Sequence, residues 1–140
     1  MAYIHRSIED LVVNTDKTFK CILVTGARQT GKSTMIKKLF GDRKYVTFDD
    51  PFIEEQAKNN PDMFMALNPP PVIFDEVQFV KGLFRYIKMK CDESEERGLY
   101  CLTGSQPFEL MQGVSESLSG RVGIIELAGL SLREITGDSF

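Results

Sequence analysis

Gly26-Ala27-Arg28-Gln29-Thr30-Gly31-Lys32-Ser33 is the stretch whose reading decides the fold. It fits G-x-x-x-x-G-K-[ST], the pattern of a phosphate-binding loop. The apolar run Cys21-Ile22-Leu23-Val24 precedes it, and apolar residues at helical spacing follow it, with Met35, Ile36, Leu39 and Phe40 on one face. A strand, a glycine loop and a helix in that order gather backbone N–H groups and the positive end of a helix around a phosphate. Gly26 and Gly31 permit the tight turns that aim those N–H groups inward. Lys32 is placed to reach the β- and γ-phosphates, and the Ser33 hydroxyl to ligate Mg²⁺. The candidate nucleotide-binding set is therefore Gly26, Ala27, Arg28, Gln29, Thr30, Gly31, Lys32, Ser33 and the adjoining Thr34. Arg28 occupies a variable position of the motif and reads either as a phosphate or partner contact or as a solvated side chain.

Working outward, the same alternation continues. A short amphipathic helix is expected over residues 7–15, with Ile8, Leu11 and Val12 sharing a face. Tyr45-Val46-Thr47-Phe48 has the aromatic and β-branched content of a second strand. Asp50-Pro51 and Asn60-Pro61 each read as an N-cap followed by proline at the first helical position, giving two short helices before Asn68-Pro69-Pro70-Pro71. Val72-Ile73-Phe74 is a third strand. Phe79, Val80, Leu83, Phe84, Ile87 and Cys91 then fall at the spacing of one helix. A fourth strand, Leu99-Tyr100-Cys101-Leu102, runs into Thr103-Gly104-Ser105. A helix is expected from about Pro107 to Leu118, and a fifth strand from Val122 to Leu127. Strands alternating with helices imply right-handed βαβ units, a parallel sheet and an α/β fold.

The third strand closes on Asp75-Glu76, and the phosphate loop upstream gives that pair a meaning. An apolar strand ending in two acids is a Walker B arrangement. Asp75 would hold Mg²⁺, through water, because that ion keeps much of its hydration shell. Glu76 would act as general base on an attacking water. The bland alternative is that both acids cap the next helix. Ser105, at the end of the fourth strand, reads two ways: as a sensor between the Walker B strand and the γ-phosphate, or as a cap for the helix near Pro107. Arg121, just before the fifth strand, reads either as a transition-state contact from this or a neighbouring subunit or as an exposed arginine. Asp49 and Asp50 lie at the strand edge where ligands bind in such sheets, and Asp50 suits a helix cap.

Composition sets bounds on partners. The 140 residues suffice for one core and not for two ordinary domains. With 17 basic and 20 acidic residues the net charge is −3, so no global basic field advertises nucleic acid. The three cysteines form no CxxC pair, which points away from zinc and toward a reducing, cytoplasmic compartment. No apolar run approaches the roughly 18 residues that span a bilayer, so no membrane partner is expected. The single histidine, His5, lacks a partner at metal-ligand spacing.

Taken together, Leu23 to Ser33, Phe48-Asp49-Asp50-Pro51, Ile73-Phe74-Asp75-Glu76-Val77-Gln78, Leu102-Thr103-Gly104-Ser105-Gln106 and Ser117-Leu118-Ser119-Gly120-Arg121 resemble a family of AAA-like P-loop ATPases of bacteria and archaea. The resemblance covers about residues 3 to 135. It implies a three-layer αβα sandwich with a five-stranded parallel sheet of order 5-1-4-3-2, binding of ATP and Mg²⁺, and ATP hydrolysis to ADP; the paired motifs with Glu76 make the first expectation a module whose hydrolysis drives conformational change in a larger protein. It implies Ser105 as the sensor and Arg121 as an arginine finger, hence a homo-oligomer, and leaves any protein or nucleic-acid partner unspecified. Family members carry a helical lid and a C-terminal domain after this core. The chain stops soon after Leu130-Ser131-Leu132-Arg133-Glu134-Ile135, so residues 1–140 are expected to be the ATPase core without them. Two alternatives keep the same fold: a nucleotide-gated scaffold without turnover, and a small-molecule kinase. The second is disfavoured because only Arg121 and Arg133 follow residue 98, where a kinase lid would carry several arginines.

Overall fold

Strand β1 (Cys21–Thr25) is buried at every residue and lies inside the sheet. The computed structural model describes residues 2–26, 32–105 and 122–126, with side chains over 9–26, 33–105 and 122–125. Before β1 comes helix α1 (Ala2–Thr18). After it come α2 (Lys32–Leu39), β2 (Lys44–Thr47), α3 (Pro51–Asn59), α4 (Pro61–Leu67) and β3 (Val72–Asp75). A 3-10 turn over Val77–Val80 leads into α5 (Leu83–Asp92), then β4 (Tyr100–Gly104) and β5 (Val122–Glu126). The five strands are parallel and ordered β2-β3-β4-β1-β5, which is 5-1-4-3-2 read from the other edge.

Alternation along each strand divides the interior in two. Cys21 and Leu23, Val72 and Phe74, and Tyr100 and Leu102 face one way, where α3, α4, the 3-10 turn and α5 cover them. Ile22 and Val24, Ile73, and Cys101 face the other way, against Val12 of α1 and Ile36 of α2. Two cores on opposite faces are what an all-parallel sheet requires, since neither face can be left to water. The larger core holds an aromatic cluster: Phe48, Phe64 and Phe74 sit with ring centroids 5.5–5.9 Å apart, and Tyr100 stacks on Phe74 at 5.8 Å.

Several local expectations are corrected. Helix α1 extends past residue 15 to Thr18, with the Thr15 and Thr18 hydroxyls donating back to the Leu11 and Asn14 carbonyls. Leu11 is half exposed rather than shared with Val12 in the core. Asp50 caps α3 as expected, accepting from the Phe52 amide at 2.9 Å. Asn60 makes no side-chain cap; its own amide closes α3 on the Gln56 carbonyl. The single helix expected through Phe79 and Cys91 is two pieces, a 3-10 turn over Val77–Val80 entered from Glu76 in left-handed backbone, φ 59° and ψ 52°, and α5 from Leu83, with Lys81-Gly82 between them. In that 3-10 turn Gln78 is buried and Phe79 only partly covered. The helix expected over 107–118 lies outside the described residues.

Parallel register brings the strand C-termini to one edge. Val24 pairs with Thr103, Thr47 with Asp75, and Phe74 with Leu102. Gly26, the first residue of the phosphate loop, donates its amide to the Gly104 carbonyl at 3.1 Å. No helix among the described residues is long and apolar enough to cross a membrane.

Candidate functional site

Asp75 ends strand β3 almost fully buried, and the hydroxyls around it are supplied by three different elements, α2, β2 and β4. Ser33 in the first turn of α2 donates to Oδ1 at 2.7 Å. Thr47, its register partner on β2, donates to Oδ2 at 2.9 Å. Thr103 on β4 also donates to Oδ1. Tyr45, two residues before Thr47 and so on the same face of β2, lies beside them. Burial alone would raise the Asp75 carboxyl; the hydroxyls of Thr103, Ser33, Tyr45 and Thr47 outweigh it and hold Asp75 below the usual carboxylate range. Burial, and then the Asp75 carboxylate, push the Tyr45 hydroxyl well above its ordinary value. Asp75 is therefore an anion at neutral pH, surrounded by donors.

Glu76 is also buried, 3% exposed, and its position is fixed at both ends. Its amide donates to Thr103 Oγ1 at 3.1 Å, the same oxygen whose proton goes to Asp75. Its Oε1 accepts from Ser105 Oγ at 2.8 Å and from Gln78 Nε2 at 2.7 Å. A left-handed conformation is uncommon for glutamate, and here it turns the side chain out of the strand direction toward Ser105. Asp49, exposed beyond β2, completes an acidic group: one carboxylate oxygen from each of Asp49, Asp75 and Glu76 lies within 4.8 Å of the others. With the Ser33 hydroxyl, this donor set is all oxygen. It suits a hard divalent cation such as Mg²⁺, which takes carboxylate and water oxygens, and not zinc, which favours nitrogen and sulfur.

Of the residues singled out from sequence, Ser33, Asp75, Glu76 and Ser105 converge within one hydrogen-bonded group. Gly26 follows β1 at the same edge. Lys32 is the first residue of α2, and Thr34 follows Ser33 on that helix, exposed. Ala27, Arg28, Gln29, Thr30, Gly31 and Arg121 lie outside the described residues, as does the Lys32 side chain. Thr47, Thr103, Tyr45 and Gln78 are the members that sequence reasoning missed. Three of them sit in strands, where a threonine or tyrosine reads as ordinary strand content. A usable signal exists for Thr103: it is the last polar side chain before the Gly104 that faces the loop.

Comparison with known proteins agrees with this geometry. A family model described as "AAA domain" matches residues 18–136. Two uncharacterized mycobacterial proteins, one from Mycobacterium tuberculosis and one from Mycobacterium bovis, are each 29% identical over 115 residues. The matched stretch is 81% of this chain but 26% of each relative, so the chain spans about a quarter of their length. Among solved structures, the Walker-type ATPase of Pyrococcus abyssi shares the fold, with a TM-score of 0.54 at 19% identity over 90% of this chain and 52% of that one. With its phosphate-loop pattern, its sheet order and a match over most of its length, the chain belongs to the AAA domain family and is an AAA-like P-loop ATPase core.

Proposed function

We propose that this chain binds ATP with Mg²⁺ and hydrolyses it to ADP, and that hydrolysis drives conformational change in a larger protein. The observation that carries the reading is Glu76: a buried carboxylate beside Asp75, at the C-terminal edge of β3, held by Thr103 at its amide and by Ser105 at Oε1. Ser33 and Asp75, with Asp49 nearby, would hold the cation. A Mg²⁺ ion held there would supply charge neutralisation to the phosphate oxygens. The loop from Gly26 to Ser33 and the start of α2 would orient the triphosphate, with Lys32 on its terminal groups. Glu76 accepts a proton from water as the water oxygen bonds the γ-phosphorus; the bond to the β–γ bridging oxygen breaks and its electrons leave with ADP. Ser105 fixes the base in that position. Arg121, from the same or a neighbouring copy, would stabilise charge in the transition state, and if it comes from a neighbour the working form is a homo-oligomer. The length of the mycobacterial relatives supports a core, residues 1–140, that acts on further chain.

The test is ATP turnover by the purified full-length protein beside Glu76→Gln, with nucleotide affinity measured by titration of a fluorescent ATP analogue. Loss of a general base is expected to lower kcat by about 10²–10⁴-fold with affinity retained. Normal turnover by Glu76→Gln would overturn the assignment. Phosphate appearing on an acceptor other than water would favour the kinase reading instead.

A further inference from the structure

Gln78 is buried, 6% exposed, in the 3-10 turn two residues after Glu76. Its amide nitrogen donates twice, to Glu76 Oε1 at 2.7 Å and to Ser105 Oγ at 3.0 Å. Ser105 Oγ donates in turn to Glu76 Oε1 at 2.8 Å, so the three side chains close a triangle on one carboxylate oxygen. The serine must be the donor in that last bond, because an ionised carboxylate only accepts; its own oxygen is then free to accept from the amide. This fixes the orientation of the Gln78 amide as well. The other end of the amide, Oε1, is buried without a hydrogen-bond partner among the described residues. A buried acceptor without such a partner carries a desolvation penalty, so the amide is placed by its two donor bonds rather than by its oxygen. The donors of Gln78 are directed wholly at Glu76 and Ser105.

We propose that Gln78 is a positioning residue for hydrolysis, acting through Glu76. Without its donor, Glu76 Oε1 would lose the Gln78 bond that holds it alongside Ser105, and Ser105 itself would lose the bond that aims its hydroxyl. The carboxylate would then swing about its terminal torsions, and a base misplaced by about 1 Å loses on the order of 10²-fold in rate. This inference rests on the hydrolysis reading above and extends it to a residue that acts through Glu76 and Ser105.

The experiment is a double-mutant cycle between Gln78→Met and Glu76→Gln in the full-length protein, reading kcat, nucleotide affinity and Tm for all four forms. Methionine keeps the length and removes the unsatisfied acceptor. Three results are expected: kcat falls at least about 10-fold in Gln78→Met, affinity for the ATP analogue stays within about threefold, and Tm is unchanged or higher. In the Glu76→Gln background, Gln78→Met is expected to have no further effect on kcat, because the group it positions is already gone. Three results would overturn the proposal. Turnover that depends on Glu76 but not on Gln78 removes it and leaves the hydrolysis reading standing. A fall in Tm with an equal loss in both backgrounds makes Gln78 merely structural. Absence of turnover in the parent protein, or turnover indifferent to Glu76→Gln, removes the hydrolysis reading and this inference together.

Discussion

Gly98 and Gly82 occupy opposite situations, and single substitutions separate them. Gly98 has φ +66°, and a Cβ there would stand 2.8 Å from Asp16 Oδ2 and 3.2 Å from Arg43 Nη2. Those two atoms belong to a bidentate pair at 2.7 and 3.2 Å whose side chains are 10% and 9% exposed for Arg43 and Asp16, with the guanidinium also over the Phe40 ring. Gly98→Ala is expected to destabilise by at least about 1–2 kcal/mol from backbone strain, and more from displacing the ion pair. Gly82 has φ −61°, and a Cβ there would meet nothing within 4 Å among the described residues, so Gly82→Ala is expected to be neutral or to stabilise by about 0.4–1 kcal/mol. Urea midpoints at unchanged m-value check both. The Asp16–Arg43 pair itself was illegible in the sequence. Its members are 27 residues apart, and no spacing rule brings the end of α1 to the turn before β2.

At the scale of elements, strands were more legible than helices. The run Cys21 to Thr25 was apparent because a buried parallel strand is apolar at nearly every position. The end of α1 was not, because Thr15, Asp16, Lys17 and Thr18 carry no apolar period, and it shows only in the backbone bond from the Phe19 amide to the Thr15 carbonyl. The break at Lys81-Gly82 was hidden because Val80, Leu83, Phe84 and Ile87 are buried either way, so the apolar pattern is blind to a 3-10 turn at the start. The contact of α1 with β5 depends on one missing side chain. A Cβ on Gly123 would come within 2.6 Å of Thr15 Cγ2 and Phe19 Cδ2. Gly123→Ala is expected to push α1 off the sheet edge and cost about 1–3 kcal/mol, read as a lower urea midpoint.

For the molecule as a whole, the parallel sheet and the two-sided core followed from alternation of elements, the strand order followed from the family resemblance, and the chemistry of the edge followed in part. Asp75 and Glu76 were visible because two acids ending an apolar strand are rare company. The hydroxyls that surround Asp75 were not, since they come from α2, β2 and β4 and only the folded chain brings those three elements together. The same two-sided burial covers all three cysteines. Burial first, and for Cys21 the neighbouring Cys91 and Cys101, raise the Cys21 and Cys101 thiols well above their ordinary value. A thiol that stays neutral when folded but ionises near pH 8.5 when unfolded contributes its full stability below that pH and loses it above. Stability is therefore expected to decline as pH rises beyond about 8.5, measured by urea unfolding across pH 7–10. Iodoacetamide at pH 8 is expected to label none of the three cysteines until denaturant is added, with mass spectrometry as the readout.

The hydroxyl shell of Asp75 has a consequence for motion. Ser33, Thr47 and Thr103 belong to α2, β2 and β4, so one carboxylate staples three segments distant in sequence. A ligand that recruits the Ser33 hydroxyl takes one staple for itself and returns a tighter one through the shared ion. Amide hydrogen exchange should then slow together at the start of α2 and at the ends of β2 and β4 when Mg²⁺ and nucleotide are added, while α3 and α4 keep their rates. The edge of this sheet would behave as a single cooperative unit whose breathing is set from one buried side chain.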